Sequence, residues 1–323
     1  MALLMFKNLV VYRVSGPDGT PWDAELSTLE EGLGKARFLP CGTTQPVSIG
    51  WVPPREPSAA EAGQDAGTAP LVESVGGQWL MRLVIEQKVL PSAVVKRRTQ
   101  ELAKQIEQAT GRKPGKKQAK ELKEEAVLAL LPQAFTKQSS VNVWLDVRSS
   151  LLMVDAGSAK RAEEAVTLLV QSLDGRIALR LVQTALSPAA AMTAWLSSGE
   201  PPSAFSVDRE CELKSADEMK SVVRYARHPL DTEEVKAHVQ AGGKQPTRLA
   251  MTWKGRVSFV LTDSLQIKKI SVDDGLFDAG RSSGRGGGDE GFDADAAIAT
   301  GELRQLIPDL VAALDGELAE QPA

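Results

Sequence analysis

The spacing of hydrophobic residues along the chain predicts an alternation of strands and helices. Short runs rich in Val, Leu, Ile and aromatic residues predict strands at residues 2–14, 78–86, 141–147, 151–157 and 176–183, and an antiparallel meander at 249–253, 257–261 and 265–270. Apolar positions at helical spacing predict helices at residues 24–34, 92–131, 158–173, 188–198, 230–241 and 297–314. Layers of sheet and helix follow from this order, and we expect an α+β fold.

Three segments follow neither the alternating spacing of a strand nor the spacing of an amphipathic helix. Residues 50–54 contain two prolines, which remove backbone donors and fix φ, so we expect no regular structure there. Residues 55–77 are rich in Ala, Gly, Pro and acidic groups, and residues 279–291 are rich in Gly. Both compositions predict surface loops.

The segment 92–131 predicts a helical hairpin with one apolar face. Pro91 and Ser92 are a helix start signal, with Ser92 as the N-cap. The run 110–115 contains Gly and Pro and interrupts the helical pattern, and Pro132 ends it. The two predicted arms are each about 25 Å long at ~1.5 Å per residue.

The length of the chain indicates more than one structural part, since 323 residues exceed the usual size of a single domain. We expect a central α+β domain, a mixed sheet and helix region, formed by residues 1–91 and 132–186. The helical hairpin, residues 92–131, would be inserted into it as a tip, and residues 187–323 would form a C-terminal α+β base domain.

Charge is distributed unevenly along the chain. The formal net charge is −4, which taken alone argues against a protein that coats nucleic acid. Residues 96–123, however, carry ten basic and three acidic side chains, a net +7, which leaves −11 for the rest. Residues 273–323 alone hold twelve acids against three Arg. An acidic exterior with one basic lining is compatible with a DNA binder, so the total charge excludes nothing.

Lysines of the second arm fall on one stripe, because Lys113, Lys116, Lys120 and Lys123 are spaced 3, 4 and 3 residues apart. Like charges at this spacing repel by a few tenths of a kcal/mol per pair, and a row of phosphates offsets that repulsion through counterion release. The alternative is a hairpin whose lysines only keep it solvated. A solvated helix usually mixes both signs, so the imbalance favours an anion-binding surface.

Two further groups of charged residues are weaker candidates. Arg224 and Arg227 form a second basic cluster, for which ordinary exposed charge is the alternative. Four carboxylates near the Gly-rich loop could hold Mg²⁺ in a nuclease, although such acids are more often solvated surface. These four are Asp273, Asp274, Asp293 and Asp295.

Motifs for other chemistry are absent from the sequence. It contains no GxxxxGK[ST], HExxH or GxSxG motif. His228 and His238 lie ten residues apart, which does not place them on one helical face for a metal. Cys41 and Cys211 lie 170 residues apart, so reduced thiols in a cytoplasm are the simplest interpretation. We expect no catalytic residue, metal or cofactor, and no membrane span, because no apolar run approaches about 18 residues.

Several strings are more specific than these patterns. They are MFKNL (5–9), VYR (11–13), PCG (40–42), GWVPP (50–54), LPS (90–92), VK (95–96), LLP (130–132), AF (134–135), LMVD (152–155), SAK (158–160), FDAD (292–295) and TGEL (300–303). Together they resemble, in order and over nearly the whole chain, the RdgC family of bacterial recombination-associated DNA-binding proteins. Residues 55–77 and 279–291 depart from the resemblance.

The resemblance implies a protein without enzymatic activity that binds double-stranded DNA with little sequence preference. It implies a ring-shaped homodimer whose basic inner surface surrounds the duplex. It further implies a role in recombination and replication-fork repair, in which the protein restrains RecA-dependent strand exchange by occupying DNA. A cytoplasmic, nucleoid-associated location follows from such a role, with double-stranded DNA and a second copy as partners.

Carried over by position, the DNA contacts would be the basic residues of the hairpin and the second cluster. They are Lys96, Arg97, Arg98, Lys104, Arg112, Lys113, Lys116, Lys117, Lys120, Lys123, Arg224 and Arg227. Phe135 would be a dimer contact at the end of the hairpin, or else it packs in the core of its own subunit. The competing function class is a protein-interaction scaffold whose basic hairpin docks an acidic partner such as a recombinase.

Overall fold

The computed structural model describes residues 6–55, 69–215, 221–240, 243–273, 275 and 289–318. Its strands are β1 Leu9–Ser15, β2 Val47–Val52, β3 Val72–Val75, β4 Gln78–Val89, β5 Phe135–Asp146, β6 Leu151–Asp155, β7 Ala178–Leu181, β8 Phe205–Ser215, β9 Val222–Ala226, β10 Lys244–Trp253, β11 Val257–Thr262 and β12 Ile267–Val272. Its α-helices are α1 Leu26–Gly34, α2 Ser92–Thr110, α3 Lys116–Leu130, α4 Ala159–Ser172, α5 Pro188–Ser198, α6 Glu233–Gln240 and α7 Asp289–Ala313.

All of these strands belong to one antiparallel sheet. Its order is β2-β4-β5-β6-β1-β12-β11-β10-β8-β9, with β3 paired to β4 and β7 paired to β1. Helices pack on the faces of this sheet, so the expected α+β class is confirmed. The predicted meander is confirmed as β10, β11 and β12, which are consecutive neighbours in the sheet.

Two apolar cores form on opposite sides of the sheet, because successive side chains of a strand point to opposite faces. In β1, Val10 belongs to the core covered by α1 and α4, which we call the first side. Leu9 and Val11 belong to the other core, which contains residues of α5, α6 and α7 and which we call the second side. Strand alternation therefore decides which helix each strand residue contacts.

The central strands and the C-terminal strands meet at a short junction. β1 and β12 share one register pair, Leu9 with Ile267, and the Ile270 N–H donates to the Lys7 carbonyl at 2.9 Å. Helix α7 packs across this junction, because its apolar residues share the second-side core with strands from both halves. The predicted domain boundaries stay a prediction.

Helix α7 also forms ion pairs with both halves of the sheet. Arg304 lies 3.2 Å from the buried carboxylate of Asp146, at the end of β5. Glu302 lies 3.2 Å from Arg256, in the turn between β10 and β11. The polar contacts of α7 thus reinforce the apolar packing that joins the two halves.

The expectation of irregular structure at residues 50–54 is wrong for residues 50–52, which end β2. The two prolines follow the strand and leave its ladder with β4 intact, and Gly50 pairs with Val84. Gly50 is required there for a second reason. A Cβ at this position would stand 2.3 Å from the Phe38 Cα, because the segment before β2 folds back over it.

The predicted loop 55–77 contains β3 and the turn into β4. Gly76 and Gly77 have φ of 58° and 78°, the left-handed values that a type I′ hairpin turn requires at both positions. Residues 56–68 of this predicted loop lie outside the described residues. The Gly-Gly pair was the local signal for the hairpin, and the acidic composition before it concealed the short strand.

The hydrophobic pattern does not predict β8 and β9. In β8 the ladder with β10 shifts register between the Leu249–Cys211 and Met251–Val207 pairs, so two residues of β10 oppose four of β8. Such a bulge breaks the two-residue alternation that marks a strand in a sequence. Charged residues in the bulge then give this segment the composition of a loop.

Two helix starts differ from expectation. The N-cap of α2 is Pro91, in extended backbone, and Ser92 is already helical, with no side-chain hydrogen bond at this cap. Helix α7 begins at Asp289, so residues 289–291 of the predicted Gly-rich loop are helical, while residues 279–288 lie outside the described part of the chain. The first strand begins at Leu9, later than expected, and residues 1–5 are likewise outside.

Candidate nucleic-acid interface

The helical hairpin consists of α2 and α3, which follow β4 and precede β5 in the chain. Helix α2 ends at Gly111, whose φ of 69° is the left-handed conformation favoured at a helix C-terminus. Leu102, Leu122 and Ala126 are buried between the two helices. Because this seam is narrow, most other side chains of the hairpin face solvent.

The predicted basic residues of the hairpin are exposed, apart from the half-buried Arg98. Three of them form ion pairs within the hairpin: Arg97 and Arg98 with Glu101 at 3.9 and 3.2 Å, and Lys120 with Glu124 at 3.8 Å. The others form no ion pair with any described residue. They are Lys96, Lys104, Arg112, Lys113, Lys116, Lys117 and Lys123.

The lysine stripe is shorter than its spacing predicts. Lys113 lies in the turn before α3, since the helix starts at Lys116. Lys116, Lys120 and Lys123 share the stripe on the helix itself, and all are exposed. The stripe is therefore one helical turn shorter, while its cations remain available to an anion.

A groove of about 640 Å³ lies against the two hairpin helices. Its walls are mostly apolar and include Leu90, Val95 and Val127. Lys96 of α2 and Lys123 of α3 also line it, and both belong to the unpaired set. The groove thus combines apolar walls with two cations that have no carboxylate partner in the described structure.

The second basic cluster lies far from the hairpin. Arg224 is on β9, seven strands away from β5 in the sheet order, which corresponds to about 34 Å at ~4.8 Å per strand. Its Nε donates to Glu212 Oε2 at 2.6 Å. Although burial raises it, the hydrogen bonds from Arg224 and Thr247 hold the pKa of Glu212 below its usual value. Arg227 follows β9, exposed and with φ of 57°.

Phe135 is the first residue of β5, and 87% of its surface is exposed. The alternative that it packs in the core of its own subunit is therefore wrong. It pairs across the strands with Val89, which is itself 45% exposed. Two adjacent apolar side chains thus stand in water where the sheet meets the hairpin.

The acidic residues considered for a nuclease are not brought together. Asp293 Oδ1 lies 2.8 Å from Arg55, and Asp273 Oδ1 accepts the Gly275 N–H at 2.8 Å. Asp295 is buried on α7, and Asp274 lies outside the described residues. Among the residues that the structure describes, no group of three or more His, Cys, Asp or Glu is placed to hold a metal ion.

The two histidines and the Cys211 thiol lie among other side chains of the fold and not in a reactive site. His228 and His238 both lie beside Tyr225, with ring centroids 5.4 and 6.4 Å away. Burial, with the hydrogen bond to Glu234, raises the pKa of Tyr225 to about 12. Burial likewise raises the pKa of Cys211 to about 12. Neither group is poised for acid–base or nucleophilic work near neutral pH.

Isolated cations on the strands and on α4 escape a search of the sequence for runs of charge. Lys137 on β5, Lys160 on α4 and Arg248 on β10 are exposed and form no ion pair with described residues. The signal that could reveal them is the alternation of strand residues combined with the register of the sheet. Neither the register nor the side on which α4 packs is available from one sequence.

The comparison with protein families gives a match over nearly the whole chain. The family model described as "Putative exonuclease, RdgC" matches residues 4–317. The chain belongs to the RdgC family. The resemblance of the individual strings is thereby confirmed at the level of the family.

Curated relatives in the RdgC family match the chain end to end. "Recombination-associated protein RdgC" of Dechloromonas aromatica (strain RCB) is 44% identical over 320 residues, covering 98% of this chain and 99% of that protein. The protein of the same name from Herminiimonas arsenicoxydans is 42% identical over 318 residues, covering 98% and 100%. That of Bordetella pertussis (strain Tohama I) is 38% identical over 314 residues, covering 97% and 99%.

The family description and the names of the relatives point to different activities. The description refers to an exonuclease, whereas these relatives are named for recombination and not for an enzyme. Within the described part of this RdgC-family chain, no helix is long and apolar enough to cross a lipid bilayer.

Proposed function

We propose that this RdgC-family chain is a non-enzymatic protein that binds double-stranded DNA through its phosphates, without sequence preference. We further propose that it modulates RecA-dependent recombination and replication-fork repair by occupying DNA, in the cytoplasm at the nucleoid. The observation that carries the proposal is the hairpin, whose exposed cations mostly lack a carboxylate partner. Recombination is the process after which its relatives are named.

Phosphates are the ligand that fits these cations best. Cations that have no ion pair in the free protein lose little when they bind DNA, and each phosphate that they neutralise releases counterions. Exposed lysines on flexible stems do not fix the geometry that base-edge recognition needs. The expected binding is therefore tight at low salt, weak at high salt and indifferent to sequence.

A homodimer that closes around the duplex is the second part of the proposal. Phe135 of one copy would insert into the hairpin groove of the other, where the walls are apolar. Removing a Phe side chain from water is worth about 2 kcal/mol, and a two-fold dimer would form the contact twice. Closure into a ring requires a second contact between the two copies. We expect such a contact from the resemblance to the family.

The test is a titration of random-sequence duplex at several salt concentrations, with and without Mg²⁺. The variant Lys116→Glu/Lys120→Glu/Lys123→Glu reverses the charge of the α3 stripe. Its control reverses three cations elsewhere, in Lys35→Glu/Arg176→Glu/Lys236→Glu. We expect the affinity to fall steeply with salt, with a log–log slope of about 0.9 per phosphate neutralised, and to collapse in the stripe variant only.

Other outcomes of the same titration identify the competing functions. Binding that ignores salt, or that survives in the stripe variant, would overturn the DNA-binding proposal. Cleavage of the duplex only when Mg²⁺ is present would favour the nuclease. If the protein binds no duplex and instead binds a purified recombinase through the stripe, the scaffold is correct.

A further inference from the structure

The C-terminal half of the sheet is covered by helices on one side only. Residues of β8 to β12 pack into the second-side core with α5, α6 and α7. No residue of these five strands belongs to the first-side core, which holds α1 and α4 with the central strands. We call this first side of β8 to β12 the open face, because none of its residues shares a core with α1 or α4. Ala250 and Val260 at its centre are nevertheless buried, whereas Arg248 is exposed.

Strand register places two basic residues on this open face. Arg248 pairs with Thr262 of β11, and its chain neighbour Leu249 points into the second-side core. Lys268 pairs with Val260 of β11, and its neighbour Ile267 points into the same core. Arg248 and Lys268 therefore share the open face, on the two strands that flank β11.

The open face continues toward the hairpin through the start of α4. The Lys268 Nζ donates to the Gly157 carbonyl at 3.0 Å, immediately before this helix, and Lys160 is exposed in its first turn. Arg161 Nη2 in turn donates to Ser139 Oγ on β5 at 3.0 Å. The polar contacts therefore link β12, α4 and β5 on one side of the sheet.

Lys137 extends the set of basic residues on the first side of the sheet to the base of the hairpin. In β5, Val141 and Val143 belong to the first-side core, and the ladder with β4 has no register shift between these residues and the start of the strand. Lys137 therefore points to the first side, as does Phe135. Lys137, Lys160, Lys268 and Arg248 then form a row, in that order, from the hairpin toward β9.

Acids on the open face are already engaged by other partners. Glu212 pairs with Arg224 at 2.6 Å, and Glu210 pairs with Lys269 at 2.5 Å. Asp208 Oδ2 accepts the Thr252 hydroxyl at 2.9 Å. Glu212 is also the register partner of Arg248 across β8 and β10, so a carboxylate stands beside the row. No carboxylate among the described residues, however, lies within ion-pair distance of its four cations.

The row also shows the effect of like charges held close together. Burial and the neighbouring Arg248 lower the pKa of Lys268, against the smaller opposing effect of Asp263. Arg248 itself forms no ion pair with a described residue. An anion between these two side chains would relieve the repulsion and satisfy both.

We propose that Lys137, Lys160, Lys268 and Arg248, which we call the sheet track, contact the phosphates of the same duplex that the hairpin binds. The inference rests on the proposed function and extends it from the hairpin to the body of the protein. From β5 to β10 the track crosses five strand spacings, about 24 Å along the sheet at ~4.8 Å each. The track would therefore hold a phosphate backbone between the hairpin and the Arg224 cluster.

The test compares two variants of the full chain that remove equal charge. The track variant is Lys160→Gln/Arg248→Gln/Lys268→Gln. The matched control is Lys35→Gln/Arg176→Gln/Lys236→Gln, whose residues lie just after α1, between α4 and β7, and on α6. Circular dichroism and thermal unfolding of both variants check that they fold. Affinity for random duplex is then measured at several salt concentrations.

We expect the track variant to bind at least tenfold more weakly near 0.1 M salt, as an order of magnitude, with a log–log slope lower by about 2 to 3. The control should stay within about twofold of the parent chain. A folded track variant with an unchanged slope would overturn the sheet track. If the stripe variant of the hairpin still loses binding, the proposed function survives that result, and if neither variant changes binding, both proposals fail.

Discussion

Two carboxylates on the hairpin compete with DNA for its cations. Glu101 lies 3.2 Å from Arg98 and 3.9 Å from Arg97, and Glu124 lies 3.8 Å from Lys120. The variant Glu101→Gln/Glu124→Gln releases these three cations and raises the charge of the hairpin by two. We expect it to bind duplex DNA more tightly than the parent chain.

The size of the gain follows from the ion pairs that are lost. An exposed ion pair between residues one helical turn apart contributes about 0.3 to 0.5 kcal/mol, so three of them oppose DNA binding by about 0.9 to 1.5 kcal/mol. This range corresponds to about five- to twelvefold in affinity. The salt dependence should also steepen, by about 0.9 in log–log slope for each released cation that meets a phosphate. Loss of helix stability costs only a few tenths of a kcal/mol per pair.

The assay is fluorescence anisotropy of a labelled random duplex, titrated at several salt concentrations. The variant Glu31→Gln/Glu233→Gln is the control, since it makes the same change in net charge on α1 and α6. A gain in affinity cannot arise from partial unfolding, which is why this test complements charge removal. Equal affinities for the hairpin variant and the control would refute the role of the hairpin cations.

Three further results are expected. Phe135→Ala should weaken the dimer at least tenfold, because about 2 kcal/mol of apolar burial is lost per contact, whereas Leu128→Ala should not; sedimentation measures both, and equal behaviour would contradict the proposed contact. Arg304→Met should lower the free energy of unfolding by about 1 to 3 kcal/mol in urea titrations, because it leaves the buried Asp146 carboxylate without its cation; an unchanged midpoint would count against this. Burial raises the pKa of Asp155 in the folded chain, so its ionisation opposes folding as pH rises through that pKa. Asp155→Asn should therefore raise the melting temperature at pH 7 and lose this advantage near pH 3; a constant difference across that range would contradict it.

Helices with one buried face were predictable from the sequence, because their pattern reflects local packing. Helix α4 occupies residues 159–172 as its apolar spacing predicts, and the Ser158 hydroxyl caps it by accepting the Arg161 N–H at 3.3 Å. The hairpin helices likewise match the expected segment. In each case the signal lies within about twenty residues of chain.

Strands at irregular places were not predictable in the same way. β8 contains a bulge, and β3 is a four-residue strand that pairs with β4 and buries Val72 and Val75 in cores formed by distant parts of the chain. Their formation depends on partners that are distant in sequence or on a backbone irregularity that hides the period. A single sequence does not reveal either one.

The candidate site was likewise predictable from the sequence only in part. The exposure of the hairpin cations follows from the sign imbalance in the sequence, but which of them carry ion pairs depends on rotamers and helix geometry. The sheet track is further removed from the sequence, since Lys137 and Arg248 are 111 positions apart in the chain. Only the register of six neighbouring strands places them on one face.

The position of α7 has a consequence for the way the chain reaches its native state during synthesis. This helix follows every other described helix and strand in the chain, yet its apolar residues complete a core shared by β1 and β12. The strands on either side of the junction would therefore stay incompletely covered until α7 has left the ribosome. A chain released early, before α7, would expose the apolar second side of its sheet and become a substrate for chaperones and proteases.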